Sequence, residues 1–445
     1  MKGIKNYFLV ILIFSYFSVI SQTNTGSPYS LNELGEINFT GNVSYQSMGG
    51  IDSSIDSIEF NINNPSSLAK IKTTNYLVGT FYKYSSISNS SLKENIKTSN
   101  INYIAIGIPV KNFGFGFGVL PYSSVGFNLQ TTEDYNDANS VNTRLFGADG
   151  NINKAFLSVG IPFFKYFSLG ASANYNFGKF NYEKFNLMDG INYGVFSNSS
   201  SEITGFTYNF SSNILIPIKN DLIISLLYSL HPEGELDSFN IKSLYTTSAS
   251  SITLESLGDF VDVDLDSRGL ENTKLPVSKK SIYSIGLEKK NSWFIGAQYE
   301  NKLSSGFKNI FLDIKNVTYR DANSISFGGY FIPDSSSLVS YWKRVKYRFG
   351  IKNDKKSIIV NNLPVNQFSL NLGLGLPLSG FSKASFFHLR SSLSSSCACS
   401  NCFCQRSCWL AGIVMNISGM NDGALALSDI SFDVYPNCCE LLRVF

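Results

Sequence analysis

The chain is short of charge. Only 16% of its 445 residues are Asp, Glu, Lys or Arg, against about 25% in an average soluble domain. Histidine occurs twice, as His231 and His388, and neither lies in a metal or catalytic motif. A Gly-rich phosphate loop, a paired-histidine metal motif and a nucleophile elbow are all missing. Without a positioned acid–base or nucleophile set the sequence reads as a non-enzyme that needs no cofactor or metal. Beyond the first twenty residues there is no apolar run of about 18 positions, so an ordinary helical membrane span is excluded. The 36 basic and 33 acidic residues leave a net charge of +3, which gives no electrostatic footprint for nucleic acid.

Aromatic residues are abundant instead, with 36 Phe and 24 Tyr beside only 3 Trp. A mean hydropathy of +0.01 is too apolar for disorder. Lys2 and Lys5 precede an apolar stretch from Tyr7 to Ile20, too short to span a bilayer, and Val19 and Ser21 are small enough for a cleavage site. Residues 1–21 therefore read as a secretory signal peptide, with no Cys nearby for lipid attachment.

From about Tyr76 onward, short segments alternate apolar and small residues. Phe167, Leu169, Ala171, Ala173, Tyr175 and Phe177 are interleaved with Ser168, Gly170, Ser172, Asn174, Asn176 and Gly178. Phe368, Leu370, Leu372 and Leu374 alternate with Ser369, Asn371 and Gly373. Strands send successive side chains to opposite faces, so each segment has one greasy face and one small polar face. In a soluble sandwich the second face would carry Lys, Glu, Thr and Arg. Gly, Ser and Asn there suit the bore of a membrane barrel whose aromatic face meets lipid. A sheet in lipid must close, because an open edge would leave backbone groups unpaired. The fold class expected is all-β: a transmembrane antiparallel β-barrel in the outer membrane of a Gram-negative bacterium, surrounded by outer-membrane lipid.

Connector lengths agree. Val110-Lys111-Asn112, Lys165-Tyr166, Lys219-Asn220-Asp221 and Lys289-Lys290-Asn291 are tight links. Between them lie the long links Ser85–Thr98, Asn128–Asn151, Lys179–Ser201 and His231–Lys280. Alternation of short periplasmic turns with long outer loops is the barrel pattern. The acidic stretch Val261–Asp266 reads as a cation site or a solvated loop, and Phe307–Tyr319 as a loop. Residues 22–72 do not alternate; they read as a hatch, plugging a bore wide enough to need filling. The barrel spans 73–385.

The remaining residues, 386–445, are an anomalous Cys- and Ser-rich tail. All 7 Cys lie between Cys397 and Cys439, and no Lys follows Lys383. The run Cys397-Ala-Cys399-Ser-Asn-Cys402-Phe-Cys404 has the spacing of a metal site, a disulfide cluster is a second reading, and a shifted reading frame near Phe386 is a third.

Three places resemble the FadL-type long-chain fatty acid transporters, a family that includes aromatic-hydrocarbon channels. Asn64-Pro65-Ser66 with Leu68 is similar to the Asn-Pro-Ala element that closes the family's hatch. Ser27–Ser30 through Leu34-Gly35-Glu36, then Met48-Gly49-Gly50, is similar to the hatch of distant members. Phe113–Phe127 with Leu120-Pro121-Tyr122-Ser123 looks like the family's kinked third strand. The resemblance implies a barrel of about fourteen strands, passive uptake of hydrophobic small molecules such as fatty acids or aromatic hydrocarbons, and sideways exit at the kink. In that third strand Gly114, Gly116 and Gly118 oppose Phe113, Phe115 and Phe117, and Pro121 then removes a ladder donor. Gly116, Gly118 and Pro121 are the candidate lateral opening; the other reading is that Pro121 ends the strand near the rim. Arg344, Lys346 and Arg348 alternate with Val345, Tyr347 and Phe349, placing three cations on the bore wall. They are candidates for a ligand's carboxylate head group, or partners of hatch carboxylates such as Glu33 or Glu36. The alternative function is a structural or shuttle barrel of a protein-secretion apparatus, with a stable protein partner.

Overall fold

The computed structural model describes residues 25–416 except 32, 89–92, 136–139, 189–192, 219–220, 249–256, 313–316, 378–382, 396–403 and 412–413. The signal segment and most of the Cys-rich tail lie outside the described residues. Among those described, no helix is long and apolar enough to cross a membrane.

Most of the described residues after 74 are antiparallel sheet. Its strands are β1 (Asn75–Ser88), β2 (Lys93–Val110), β3 (Phe113–Tyr135), β4 (Ser140–Phe164), β5 (Phe167–Met188), β6 (Tyr193–Pro217) and β7 (Leu222–His231). An excursion follows: β8 (Gly234–Ser248), β9 (Leu257–Asp262) and β10 (Asn272–Val277). The wall resumes with β11 (Lys280–Lys289), β12 (Trp293–Lys302), β13 (Ala322–Phe331), β14 (Lys346–Val360), β15 (Leu363–Pro377), β16 (Lys383–Ser395) and β17 (Cys404–Ala411). β7 pairs with β6 and β11, so the excursion lies outside the wall, and β8 instead extends the far half of β6. β17 pairs with β16 on one side and β1 on the other, so the succession of fourteen neighbours returns to its start. The closing strand thus comes from the Cys-rich tail, where alternation gave no sign of it.

The faces divide as the pattern predicts. Phe113, Phe115 and Phe117, then Phe206, Tyr208 and Phe210, then Phe368, Leu370 and Leu372 are exposed on the outside of the wall. Ser172, Asn174, Asn209, Ser211, Ser369 and Asn371 are buried on the inside. β7, β11, β12 and β13 have 10 residues each, the length a tilted strand needs to cross the hydrocarbon core. β4 and β6, with 25 each, rise far beyond that band at the end opposite the turns 111–112, 165–166 and 290–292.

Two connections break the expected short–long alternation. Asn361 and Asn362 make a two-residue turn at the long-loop end, with φ of 50° and 65°. That is the double left-handed geometry of a type I′ hairpin, which asparagine tolerates. At the opposite end, where short turns are expected, residues 332–345 form a 14-residue loop.

The hatch fills the bore. Its short helix Val43–Gln46 and the 3₁₀ turn Pro65–Lys70 are connected by irregular chain. It meets the wall on all sides: Val43 N donates to Tyr103 Oη of β2, Ser66 N to Ser211 Oγ of β6, and Asp52 N to Gln298 Oε1 of β12. Buried Phe60, Leu68 and Ile71 of the hatch join Leu77, Tyr103 and Phe156 of the wall in one apolar cluster.

Candidate functional site

The predicted turn Asn64-Pro65-Ser66 is the hatch's footing. Asn64 Nδ2 donates to the Asp52 carbonyl at 3.1 Å, and Ser66 Oγ donates to Asn64 Oδ1 at 2.6 Å. Proline suits the first position of the 3₁₀ turn, where no donor is needed. The wall beneath is cut away to receive it. A Cβ at Gly170 would lie 2.1 Å from Ser66 N, and one at Gly160 would lie 2.6 Å from the Pro65 carbonyl oxygen. Across the bore, Gly328 and Gly350 admit Met48 and Gly49 in the same way. These four glycines were missed at the sequence level. They sit on the bore face of regular alternating strands, where glycine and serine look alike.

The third strand bends. β2 and β3 stay paired from Val110–Phe113 to Ile104–Val119 and no further. Gly116 and Gly118 therefore lie within the paired stretch: Gly116 gives room to Leu68 of the hatch, and Gly118 lies against the Ile104 carbonyl. The register toward β4 slips between Pro121 and Ser123. Leu120, Ser123, Ser124 and Val125 are all 2% exposed or less, so alternation fails and the strand turns inward after Pro121 rather than ending there. β2 carries its own bulge where Tyr103 and Ile101 flank Asn102. The edge that β3 frees is taken by the hatch: Glu36 and Ile37 pair with Ser124 and Ser123, Asn38 N donates to the Tyr122 carbonyl, and Gly126 N donates to Ser30 Oγ. On the β2 side, Gly26 abuts Ile96.

Beside this junction lies a cavity of about 370 Å³ between hatch and wall. Its lining mixes apolar side chains, Leu34, Phe39, Phe81 and Phe307 among them, with a dense set of charges. Lysines 83, 154, 280, 302, 352 and 356 line it, with Glu33, Glu36, Asp52, Glu300 and Asp354 opposite. Two ion pairs tie hatch to wall: Lys83 Nζ to Glu36 Oε1 at 3.1 Å and Lys302 Nζ to Glu33 Oε2 at 2.6 Å. Thr25 Oγ1 also donates to Glu36. Burial pushes the Glu36 carboxyl up, but Lys83 and Thr25 outweigh it and hold it below the ordinary glutamate value. Lys154 sits over the Tyr122 ring at 4.6 Å, and the buried His231 Nε2 has no hydrogen-bond partner among the described residues. Part of the cavity's apolar lining belongs to a packed cluster: Leu34 and Phe307 pack with Val125, Phe180 and Leu236.

The three cations singled out from sequence do not line this cavity. Lys346 Nζ binds Asp56 of the hatch at 3.4 Å and lies 4.3 Å from the Tyr330 ring centre. Arg348, 5% exposed, donates to Ser385 Oγ, which contacts Ser44 Oγ, which in turn donates to Glu59. Both hold the hatch, though through Asp56 and the Glu59 network rather than through Glu33 or Glu36. Arg344 is exposed in the 332–345 loop, stacked on Tyr341.

Asp52 is the hatch group most sensitive to pH. Burial pushes its carboxyl from 3.8 up to about 6, against the hydrogen bond from Asn61. A raised folded pKa makes a stabilising contribution that is complete below 3.8 and lost as pH rises through about 6. Asp52→Asn should therefore melt higher than the wild type at pH 8, by on the order of 3 kcal/mol in stability, and match it near pH 3.5. Thermal melting in detergent at the two pH values checks this; an equal difference at both would refute it.

A closed wall of fourteen strands with an aromatic exterior, a polar bore and an internal N-terminal hatch defines the hatch-plugged β-barrels. Residues 3–388 match the BamG family, and the chain belongs to it. The FadL-type resemblance of the short motifs therefore holds for the fold, while the family itself is BamG. The match ends where the tail's composition changes. No curated protein matches the sequence. Among solved structures, a FadL homologue of Pseudomonas aeruginosa is 12% identical, with a TM-score of 0.52 over 86% of this chain and 98% of that one. The toluene transporter TodX of Pseudomonas putida is 12% identical, with a TM-score of 0.54 over 86% and 98%. The toluene transporter TbuX of Ralstonia pickettii is 11% identical, with a TM-score of 0.53 over 85% and 98%. At that identity they show the fold alone.

Proposed function

We propose that the protein is an outer-membrane barrel that passively admits hydrophobic or amphipathic small molecules, such as long-chain fatty acids or aromatic hydrocarbons, and releases them sideways between β2 and β3. The observation that carries this reading is the parting of those strands beyond Val119, with a two-residue pairing of the hatch on the freed edge. The exposed Phe, Tyr and Leu band supports the membrane setting. The short-turn end then faces the periplasm. The fold is shared with toluene transporters, and a cavity lined by both apolar and charged side chains suits an amphipathic ligand. Residues 1–21 serve as signal and 22–72 as hatch, and the tail beyond 385 departs from the family's pattern.

A second reading, a structural barrel within a protein-handling assembly, is favoured by one observation. The hatch is bound by ion pairs and hydrogen bonds on several sides, and an apolar cluster packs it against the wall. A disulfide separates the two. Ile37 and Ser123 are register partners; Ile37→Cys with Ser123→Cys, in a chain whose native cysteines are serines, would lock the segment in the gap. Uptake of labelled oleate and toluene should fall to the level of cells lacking the protein on oxidation and return on reduction. Uptake that ignores the crosslink removes the lateral exit. No uptake in either state, with a protein partner co-purifying, leaves the structural barrel.

A further inference from the structure

The loop of residues 332–345 is the one long connection at the short-turn end among the described residues, and it carries the two most exposed large apolar side chains among them, Leu338 and Val339 at 97% and 99%, with Trp342 63% exposed beside them. Such residues in a water-facing turn are costly and are seldom left uncovered. The loop is nevertheless well built. Ile332 N donates to the Ser292 carbonyl and Asp334 N to the Lys343 carbonyl. Asp334 Oδ1 accepts from Ser336 N and Oγ, and Ser340 N donates to Ser337 Oγ.

Two bonds fix where it lies. Tyr347 belongs to the outward face of β14, with Phe349 and Ile351, and its hydroxyl donates to the Trp342 carbonyl at 3.2 Å. The Tyr341 hydroxyl donates to the Pro377 carbonyl at 3.1 Å, at the end of β15. The short helix Tyr341–Arg344 is therefore strapped to the outer flank of the wall at its rim, continuous with the aromatic band, and not laid across the mouth of the bore. Its side chains combine Tyr341 and Trp342 with Lys343 and Arg344, all exposed, whereas the loop's one acid, Asp334, is engaged within it.

We propose that this loop is an interfacial anchor whose occupant is the phospholipid leaflet on the short-turn side of the barrel. Leu338, Val339 and Trp342 enter the boundary between head groups and acyl chains, and Lys343 and Arg344 meet the lipid phosphates. Tyrosine and tryptophan favour that depth because one edge of each ring is apolar and the other hydrogen-bonds, while long cationic side chains reach out to the phosphate level. The rim position and continuity with the lipid-facing band favour lipid over a soluble protein. The inference rests on the reading of the barrel as membrane-spanning, and its test keeps the two apart.

The test uses the full chain with Trp293→Phe and Trp409→Phe, reconstituted in phosphatidylethanolamine–phosphatidylglycerol vesicles whose acyl chains are brominated near the head group. Trp342, then the only tryptophan, should lose about half its emission relative to unbrominated vesicles and resist aqueous iodide. A control carrying Trp342→Phe and Leu372→Trp, with the same two Trp→Phe changes and in vesicles brominated near the acyl-chain ends, reports the wall itself. Quenching of the control without quenching of Trp342 overturns the anchor and leaves the barrel reading standing. Quenching of neither overturns both.

Discussion

Gly170→Val should leave the barrel folded and set its hatch loose. The added carbon would lie 2.1 Å from Ser66 N and 2.3 Å from the Pro65 carbonyl carbon. Both are backbone atoms of a turn already fixed by Asn64, so neither can rotate aside. Separation is the remaining escape, and it breaks the Ser66 N–Ser211 Oγ bond and strains the Asn209 contact with the Asn63 carbonyl. Overpacking of this kind costs about 1–3 kcal/mol. The wall is spared because β5 keeps its ladders to β4 and β6. Ion conductance in planar bilayers should rise from near silence to open-channel events, and protease should cut within residues 25–72 while the band of intact barrel persists on an unheated gel. Unchanged conductance and an uncut hatch would show that the glycine cradle does not hold it. Gly350→Val, on the opposite wall, should act alike, since its Cβ would meet Gly49 N at 2.2 Å.

The second large effect separates the two faces of one strand. Leu372 is 52% exposed on the outside of β15 near the middle of its apolar run, whereas its neighbour Asn371, 3% exposed, borders the charged cavity. Leu372→Arg should cost about 2–4 kcal/mol if it lies at the membrane midplane, and Asn371→Arg much less, because its charge enters a polar space. Folding titrations into lipid vesicles measure both. Equal costs, or the reverse order, would mean that the sheet's outward face does not meet lipid.

What could be read from the sequence was whatever repeats every two residues. Phe, Tyr and Leu set against Gly, Ser and Asn disclosed the strands, the two faces and the barrel class, because a strand's side chains have no other way to divide. The interruption at Pro121 was legible for a related reason, since proline's missing donor breaks a ladder wherever it falls, although a bend and a strand end stayed open there; the Asn64-Pro65-Ser66 turn was legible only through its resemblance to a family motif. Pairing that depends on closure was not legible. Cys404–Ala411 alternates poorly, and only the free edges of β1 and β16 give it a place. The cations were misplaced in part because alternation tells which face a side chain takes but not its height in the bore. Lys346 and Arg348 do point inward, as expected, yet at the level of Asp56 and Glu59 rather than at the cavity. The lysines that line it are scattered from residue 83 to residue 356, and no local pattern gathers them. The 332–345 loop was hidden by its end of the barrel, where short turns are the rule.

One scan bears most directly on the claim that aromatic stripes face lipid while small polar residues face the bore. Nitroxide labels placed singly from Phe368 to Leu374, in the bilayer-reconstituted protein, report access to oxygen, which concentrates in lipid, and to a water-soluble nickel chelate. Oxygen access should peak at 368, 370, 372 and 374 and fall at 369, 371 and 373. A flat profile, or oscillation with the opposite phase, would contradict the account.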